Sequence, residues 1–313
     1  MIAGGCVNFI DPQPIETSYI LEVYFDDTSV KKIEYRSLPN VPHALQEAAF
    51  GNFAGRTLIM GGQEDGNGLC CEFDEEKYQV IPSLNHTQWS SASAFIQNKV
   101  VITGGSYDAL GKLDSIQILD LDEYNHGSEW IESPSTLPFG ISQHTLVTYN
   151  NKLYLIGGIY NDWDILESSD SSDISLIWSE NQRSVITSNK IWEGIFDSQK
   201  NEISWVEMGF SLQKKRCSHF SFVISNEIIV LGGEDLQKDR VEIIQGNKIR
   251  RGTKVPFQLN TVYDQAILDR KNRIIITSNN HGLIVYDHNQ GTFTNYDNFK
   301  LREERGGYAA VLQ

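Results

Sequence analysis

Short apolar segments that end in a glycine pair recur along this chain and constrain its fold more than any other feature. The first glycines of these pairs are at positions 4, 61, 104, 157 and 232. LYLIGG at 153–158 is typical. A sixth segment, RKNRIIITSNN at 270–280, has Ser278 and Asn279 where the pair should stand, and asparagine tolerates a left-handed backbone better than most residues. Self-similarity of this kind indicates a repeat architecture.

Each repeat has the pattern of four short β-strands. A strand of small or polar residues, such as SASAFIQ at 91–97, precedes a turn marked by asparagine, as at Asn150 and Asn151. The apolar strand with its glycine pair follows, and then two strands separated by a turn rich in Asp and Asn. Short alternating strands with regular turn signals indicate an all-β chain, and helical periodicity over 11 or more residues is hard to find.

The first repeat lacks its first strand, because its glycine pair stands almost at the start of the chain. The segment GGYAAVLQ at 306–313 resembles the first strands of the other repeats. We therefore expect the two termini to pair in one sheet and to close a ring of six blades, which would remove open sheet edges. Residues 1–313 would form this single domain, with a long acidic insertion at 159–190 explaining the widest gap between glycine pairs.

The glycine pair, a later Tyr or Phe and a more distant Trp resemble the kelch repeat over essentially the whole chain. Trp130 and Trp205 occupy the tryptophan position, with Tyr78 and Phe293 as weaker equivalents. The resemblance implies an all-β, six-bladed kelch-type β-propeller with four-stranded blades. It also implies second strands near the central axis, where glycine allows close approach of backbones. The structural glycines are then Gly4, Gly5, Gly61, Gly62, Gly104, Gly105, Gly157, Gly158, Gly232 and Gly233.

Composition restricts the possible partners and compartments. The chain has 313 residues and a formal net charge of -15, which argues against nucleic acid because phosphate binding needs a basic surface. It has no run of about 18 apolar residues and no signal-peptide pattern at its start, so we expect no membrane association. Four cysteines are too few for a disulfide framework, so we expect reduced thiols in a cytoplasmic or nuclear protein.

In the implied topology, the longer and chemically varied loops emerge on one face, and function generally lies on such loops. The candidate partner-binding residues on this face are His43, Trp89, Tyr107, Phe139, His144, Tyr160, Trp163, Arg216, Tyr263, Arg302 and Arg305. Arginine presents a planar fork that suits carboxylates, so a basic rim would capture an acidic peptide. The alternative is that these charges are solvated or pair with Glu303, Glu304 and Asp264.

Two further features allow two interpretations each. The insertion combines several carboxylates with Trp163 and Trp178, and is either a solvated loop packed on the propeller or a docking surface for a basic partner. His144 and His219 stand 13 residues before their glycine pairs, with Ser91 and Gln265 at the matching positions. They would either bind a metal or hydrogen-bond a neighbouring blade; the second is favoured because no acidic ligand stands at a recognisable spacing.

The commonest use of this architecture is protein recognition, and fold alone does not decide function. The resemblance is greatest to the propellers of kelch-like BTB adaptors of cullin-RING ubiquitin ligases, although a BTB domain is absent from this chain. We predict a non-catalytic module that binds a protein or peptide, with no catalytic residue, cofactor or metal. The alternatives are an actin-binding kelch protein, or a small-molecule enzyme of sialate-mutarotase type that would use Arg302, Glu304 and Arg305 at the propeller mouth.

Overall fold

The structure of the chain is a computed structural model. It describes residues 2–3, 6–7, 13–14, 18–25, 29–42, 47–62, 68–74, 76–107, 111–122, 129–161, 185–234, 239–259, 264–278, 280–296, 298 and 309–310. Residues 2–3, 6–7, 13–14, 19–20 and 309–310 are described by their backbone alone.

Within these residues the regular secondary structure is entirely β-strand. The first strands are β1 (Ile2–Ala3), β2 (Cys6–Val7), β3 (Gln13–Pro14), β4 (Ser18–Phe25), β5 (Val30–Leu38), β6 (Ala49–Phe53), β7 (Arg56–Met60), β8 (Cys70–Phe73) and β9 (Tyr78–Ile81). Next come β10 (Ala92–Ile96), β11 (Lys99–Thr103), β12 (Ile116–Asp120), β13 (Ile131–Glu132), β14 (Ile141–Ser142), β15 (Thr145–Tyr149), β16 (Lys152–Ile156), β17 (Ile159–Asn161), β18 (Val185–Thr187), β19 (Ile191–Asp197) and β20 (Glu202–Glu207). The last are β21 (Phe220–Ile224), β22 (Glu227–Leu231), β23 (Arg240–Gln245), β24 (Lys248–Lys254), β25 (Asp264–Leu268), β26 (Arg273–Ser278), β27 (Gly282–Asp287), β28 (Thr292–Tyr296) and β29 (Ala309–Ala310).

The described strands form six four-stranded antiparallel sheets, which we number 1 to 6 along the chain. Their strand orders are β29-β1-β4-β5, β6-β7-β8-β9, β10-β11-β12-β13, β15-β16-β19-β20, β21-β22-β23-β24 and β25-β26-β27-β28. A three-stranded sheet, β14-β17-β18, and a two-stranded sheet, β2-β3, accompany them. Sheet 1 joins both ends of the chain, since Ile2 pairs with Ala310 and Ala3 with Ala309.

The first strand of each sheet faces its counterparts in the neighbouring sheets. Strand β10 contacts β6 and β15, β15 also contacts β21, and β29 contacts both β6 and β25. The sequence analysis expected the second strands near the axis, but the strands that contact each other most between neighbouring sheets are the first strands. Such radial repetition of four-stranded sheets is the arrangement of a β-propeller.

The glycine pairs make a repeated bond between sheets. Gly157 has φ +63°, and a Cβ there would lie 2.5 Å from the carbonyl oxygen of Arg216 in the loop that leads into sheet 5. The amide of Gly158 donates to that same carbonyl at 2.7 Å. Equivalent bonds run from Gly62, Gly105 and Gly233 to the carbonyls of Gln88, Ile141 and Leu259. Glycine is thus needed because the backbone of the neighbouring sheet approaches the chain closely at the glycine pair. This close approach is at the end of the second strand, not along its length. Gly4 and Gly5 lie outside the described residues.

The hydrophobic core is divided among the gaps between successive sheets. Val100 and Leu119 of sheet 3 pack with Leu58 and Met60 of sheet 2, and comparable clusters join sheets 3 to 4, 4 to 5, 5 to 6, 6 to 1 and 1 to 2. Trp130 is buried in one of these gaps and donates its indole N–H to the carbonyl of Pro82 at 3.0 Å. Each sheet is therefore stabilised by the apolar area that it buries against its two neighbours.

Candidate functional site

A cavity of about 290 Å³ opens where the first strands begin. We call it the mouth cavity. Its described lining comes from five sheets: residues 47–50, 90–93, 143–146, 218–222 and 265–266. Hydroxyl, amide and imidazole side chains alternate in this lining with Phe, Leu and Ala side chains, Glu47 is the one carboxylate among the described lining residues, and none of them is Lys or Arg. The cavity is therefore amphipathic and carries little cationic charge from the part of the chain that is described.

The rim of the mouth cavity is a chain of equivalent residues in a left-handed backbone conformation. Glu47, Ser90, Gln143 and Ser218 each stand two residues before a first strand and have φ between +50° and +55°. The amide of Ser90 donates to the Glu47 carbonyl at 3.0 Å, that of Gln143 to Ser90 at 2.9 Å, and that of Ser218 to Gln143 at 2.9 Å. Their side chains follow the same order, with Ser90 donating to the Glu47 carboxylate and Ser218 to the Gln143 amide.

This rim carries backbone strain at four residues that are not glycine. A left-handed conformation costs an L-residue about 1–2 kcal/mol. Strained backbone of this kind is over-represented at ligand sites, where surrounding bonds hold it in place. Here the bonds that hold it are the inter-sheet amide-to-carbonyl bonds of the rim, so the side chains of four sheets are presented to the cavity at defined positions.

Two buried histidines connect neighbouring sheets below the rim. His144 Nε2 lies 2.9 Å from Thr103 Oγ1, and His219 Nε2 lies 3.0 Å from Thr145 Oγ1. These are bonds to the preceding sheet, as the hydrogen-bonding interpretation of the sequence expects. Burial lowers the pKa of His144 to about 3; burial, with the charges of Arg216 and His144, lowers the pKa of His219 to about 3. Both imidazoles are therefore neutral near pH 7.

The sixth sheet differs from the predicted register by one residue. Asp264, not Gln265, is the residue opposite the position of the missing glycine, because it pairs with Ser278 while Gln265 pairs with Thr277. The hairpin between β25 and β26 is longer than the others, and this shifts the count from the glycine position. A buried carboxylate, 3% exposed, thus stands where His144 and His219 stand in their sheets.

Three buried polar atoms in the cavity lining have no hydrogen-bond partner among the described residues. They are Ser91 Oγ, His144 Nδ1 and His219 Nδ1. The Thr103 hydroxyl lies 2.9 Å from His144 Nε2, so one imidazole nitrogen is engaged with the preceding sheet. Unpaired buried polar atoms are costly, and these three are covered by protein atoms beside the cavity.

Arg216 is not a rim residue, in contrast to its predicted role in capturing a partner. Its side chain is 1% exposed and makes ion pairs with Asp239 at 2.8 Å and Glu242 at 3.0 Å. Its remaining N–H groups donate to the carbonyls of Gly232 and Arg240. All the donors of the guanidinium are thereby used inside the protein, and the residue stabilises the junction between sheets 4 and 5.

The other predicted partner-binding residues that the structure describes include four aromatic side chains outside the lining of the mouth cavity. Tyr107 is 56% exposed, while Trp89 is half-buried and its backbone pairs with Ser106 next to Tyr107. Phe139 packs on Tyr160 with ring centroids 4.9 Å apart. His43, Trp163, Tyr263, Arg302 and Arg305 lie outside the described residues.

The ends of the insertion are anchored beside the mouth cavity. Strands β17 and β18 pair from Ile159–Thr187 to Asn161–Val185, and β17 also pairs with β14. The ring centroids of Phe139 and Trp192 are 5.9 Å apart, so Trp192 extends the aromatic contact between Phe139 and Tyr160. Residues 162–184, which hold the predicted docking side chains, lie outside the described residues.

The rim residues Glu47, Ser90, Gln143 and Ser218 are functional candidates that the sequence did not reveal. Their shared property is a left-handed backbone, and no residue type marks it, since one is acidic, one an amide and two are serines. Their equal distance from the first strands is the one signal that an alignment of the repeats contains. Among the described residues, no group of three or more His, Cys, Asp and Glu side chains is placed to hold a metal ion. The described residues also contain no helix long and apolar enough to cross a membrane.

Comparisons with known proteins identify the fold. No protein-family model matches the chain, and no curated protein matches it. Among solved structures, the chain is similar to that of YjhT, with a TM-score of 0.66 over 88% of each chain and 15% sequence identity. At this identity the likeness establishes the fold alone. Together with the four-stranded antiparallel sheets, it shows that the chain has a β-propeller fold.

Proposed function

We propose that the six four-stranded sheets are the blades of a closed, kelch-type propeller whose mouth cavity binds a small, polyhydroxylated ligand of carbohydrate type. The pairing of β1 with β29 and the apolar clusters between successive sheets support six blades and closure. The observation that carries the ligand class is a cavity lining in which the polar rim side chains of Glu47, Ser90 and Gln143 stand beside the aromatic rings of Phe50 and Phe222.

The size of the cavity favours a small molecule over a peptide. Its volume of about 290 Å³ is just below the roughly 300–1,000 Å³ that small-molecule sites occupy. A sugar ring would offer hydroxyl groups to the polar rim side chains and apolar C–H groups to the partly buried rings of Phe50 and Phe222, which also line the cavity. An extended peptide of several residues would exceed this volume and would have to lie outside it, on the rim.

The reaction that fits this site best is interconversion of sugar anomers, as in the enzyme alternative drawn from the sequence. Ring opening moves the anomeric hydroxyl proton to a base, while the ring oxygen receives a proton and its bond to the anomeric carbon breaks. Closure on the opposite face reverses both transfers, so no other reactant is consumed. Glu47 would act as the proton-transfer group, held by its bond from Ser90, and the Gln143 side chain on the same rim would orient hydroxyl groups.

Binding is tested with a matched pair of variants. Gln143→Gly removes a rim side chain at φ +54°, and Asn150→Gly removes one at φ +50° in the hairpin turn at the far end of β15. Glycine adopts both conformations without strain, so both variants should fold. The parent chain is titrated by calorimetry with sialate, a neutral hexose and a linear polyol. At least one of them should bind with a Kd of about 1 mM, equivalent to a binding free energy of about -4 kcal/mol. Affinity should fall about tenfold for Gln143→Gly and stay unchanged for Asn150→Gly.

Activity is tested separately from binding. Glu47→Gln should slow the approach of a pure anomer to equilibrium, followed by proton NMR, while the same ligand still binds. Absence of binding by every sugar tested, or an equal effect of both glycine variants, would refute a mouth site. If a sugar binds but its anomers do not exchange faster, the proposal of carbohydrate binding would stand and the proposal of catalysis would be rejected.

Protein recognition is a second candidate, favoured by one observation. Tyr107 is 56% exposed beside the Trp89–Ser106 pairing, and exposed aromatic side chains are enriched in protein interfaces. Tyr107→Ala would weaken such a complex without affecting sugar binding in the mouth cavity. Loss of sugar binding in this variant would instead show that Tyr107 belongs to the mouth site.

A further inference from the structure

The outer edge of sheet 5 is basic in a chain whose net charge is -15. Arg240 on β23 and Lys248, Arg250, Arg251 and Lys254 on β24 are all exposed. We call these five residues the basic edge. Strand β24 is the outermost strand of its sheet, and within the described residues no further strand pairs with it.

The described carboxylates near the basic edge neutralise it only in part. Asp239 and Glu242 have side chains that are 2% exposed, and both are engaged with the buried Arg216. Arg250 is paired with Glu227 through both carboxylate oxygens at 2.9 Å, and Arg251 donates to Gln213. Within the described part of the chain, no ion pair links Lys248 or Lys254 to a carboxylate. The local field at this edge is therefore positive.

The pairing of β23 with β24 places like charges opposite each other. Arg240 is directly opposite Lys254, next to an irregularity in the register. Like charges in this position destabilise a sheet, whereas opposite charges would stabilise it. The same pairing places Glu242 opposite Arg251, but the Glu242 carboxylate is engaged with the buried Arg216. An external anion would supply the compensation that Arg240 and Lys254 lack within the described part of the sheet.

The shape of the edge selects an extended ligand. Strand β24 has seven residues, so the charges span about 20 Å at about 3.3 Å per residue. Its exposed side chains alternate in direction, and its outer backbone groups are placed as in other edge strands that accept a peptide by strand addition. An extended peptide has the same side-chain repeat, so that carboxylates two residues apart would match the spacing of Lys248 and Arg250 on β24.

We propose that the basic edge is a docking site for an acidic, extended peptide segment of a partner protein. The site is separate from the mouth cavity and does not depend on the proposed carbohydrate function. A peptide is favoured over nucleic acid because the basic patch is one strand long, while the charge of -15 on the whole chain repels a long polyanion. Contacts made by charged side chains at this edge would be screened by salt.

The test uses fluorescence anisotropy of a labelled 12-residue peptide with alternating Glu and Ser, and of its Gln-for-Glu counterpart. The parent chain should bind the acidic peptide at low ionic strength and bind the neutral one at least about tenfold more weakly. The double variant Lys248→Glu/Lys254→Glu should lose about tenfold in affinity. Lys32→Glu/Arg36→Glu makes the same change in net charge on β5, the outermost strand of sheet 1, and should change affinity less than about twofold.

Several outcomes would overturn the proposal. These are an equal loss in both charge-reversal variants, no effect of salt on the parent chain, or absence of binding by the acidic peptide. Tighter binding of a single-stranded oligonucleotide than of the peptide would reject the partner class. If the reversal variant unfolds, Lys248→Gln/Lys254→Gln should still weaken the peptide complex about threefold and reduce its salt dependence; no change in either would count against the docking site.

Discussion

The inter-sheet contact at Gly157 allows a stringent test of how the propeller is assembled. Gly157→Ala adds one methyl group at φ +63°, 2.5 Å from the Arg216 carbonyl oxygen and 2.8 Å from the His219 ring. Gly246→Ala is the matched control, because Gly246 has φ +56° in a hairpin turn and no atom within 4 Å of its added Cβ. Both variants carry the same backbone strain, but only the methyl group added at Gly157 meets atoms of the neighbouring sheet.

The expected magnitudes follow from these contacts. The left-handed conformation costs alanine about 1–2 kcal/mol in both variants. At Gly157 the clash is with backbone, so the loop that carries Arg216 must move and the 2.7 Å bond from the Gly158 amide is lost. Overpacking and an unsatisfied buried amide each cost about 1–3 kcal/mol and arise from one displacement. Because the two effects share one displacement they are counted once, so Gly157→Ala should lower the free energy of unfolding by about 2–5 kcal/mol, and Gly246→Ala by about 1–2 kcal/mol.

Urea denaturation followed by tryptophan fluorescence measures both changes, with linear extrapolation to water. The buried Trp130 lies between sheets 2 and 3 and reports loss of inter-sheet packing. Equal destabilisation by the two variants would show that the Gly157 contact contributes nothing beyond backbone strain. That result would refute the inference that glycine pairs are required by the approach of the next sheet.

Three further predictions concern the interior and the ends of the chain. Arg216→Met should lower the free energy of unfolding in urea by about 3–5 kcal/mol, because it leaves two buried carboxylates unpaired. Replacing those carboxylates by apolar residues as well should recover most of this loss, and no recovery would reject a charge-pairing role for Arg216. Because burial lowers the pKa of His144 and His219 to about 3 while unfolded histidine has a pKa near 6.5, the unfolded chain binds protons first, and stability should fall as pH decreases from about 6.5 towards 3. The double variant His144→Gln/His219→Gln should flatten this slope, which is at most about 1.4 kcal/mol per pH unit for each histidine, and an unchanged slope would contradict the burial argument. Deletion of 306–313 should abolish the cooperative melting transition in calorimetry, since β29 completes sheet 1 with β1; a truncated chain that melts cooperatively at the parent temperature would show that closure is not needed.

Much of the architecture was predictable because its determinants are local. The turn after a first strand needs residues that tolerate positive φ, and Asn150 and Asn151 adopt φ +50° and +56° in the hairpin between β15 and β16. The apolar strand and its glycine pair are equally local, since alternation and the absence of a side chain can be read from neighbouring residues. The pairing of β1 with β29 also agrees with the prediction from the incomplete first repeat.

The candidate site was less predictable because it depends on contacts between sheets. Arg216 has the sequence features of a rim cation, yet it is buried, because Asp239 and Glu242 approach it from strands more than 20 residues further along the chain. Asp264 takes the place expected for Gln265, because one longer hairpin shifts the register. The rim of Glu47, Ser90, Gln143 and Ser218 exists through amide-to-carbonyl bonds between different sheets, which no residue type indicates.

From its sequence alone, this chain is a repeat of four-stranded units with glycine pairs at defined places, because strand alternation, turns and left-handed positions are properties of adjacent residues. The tertiary structure decided which strands line the axis, which charges are buried and which side chains line the cavity. The physical reason is that bonds such as that from Gly158 to Arg216 join residues far apart in the chain, and their partners are chosen by packing between sheets and not by local preference.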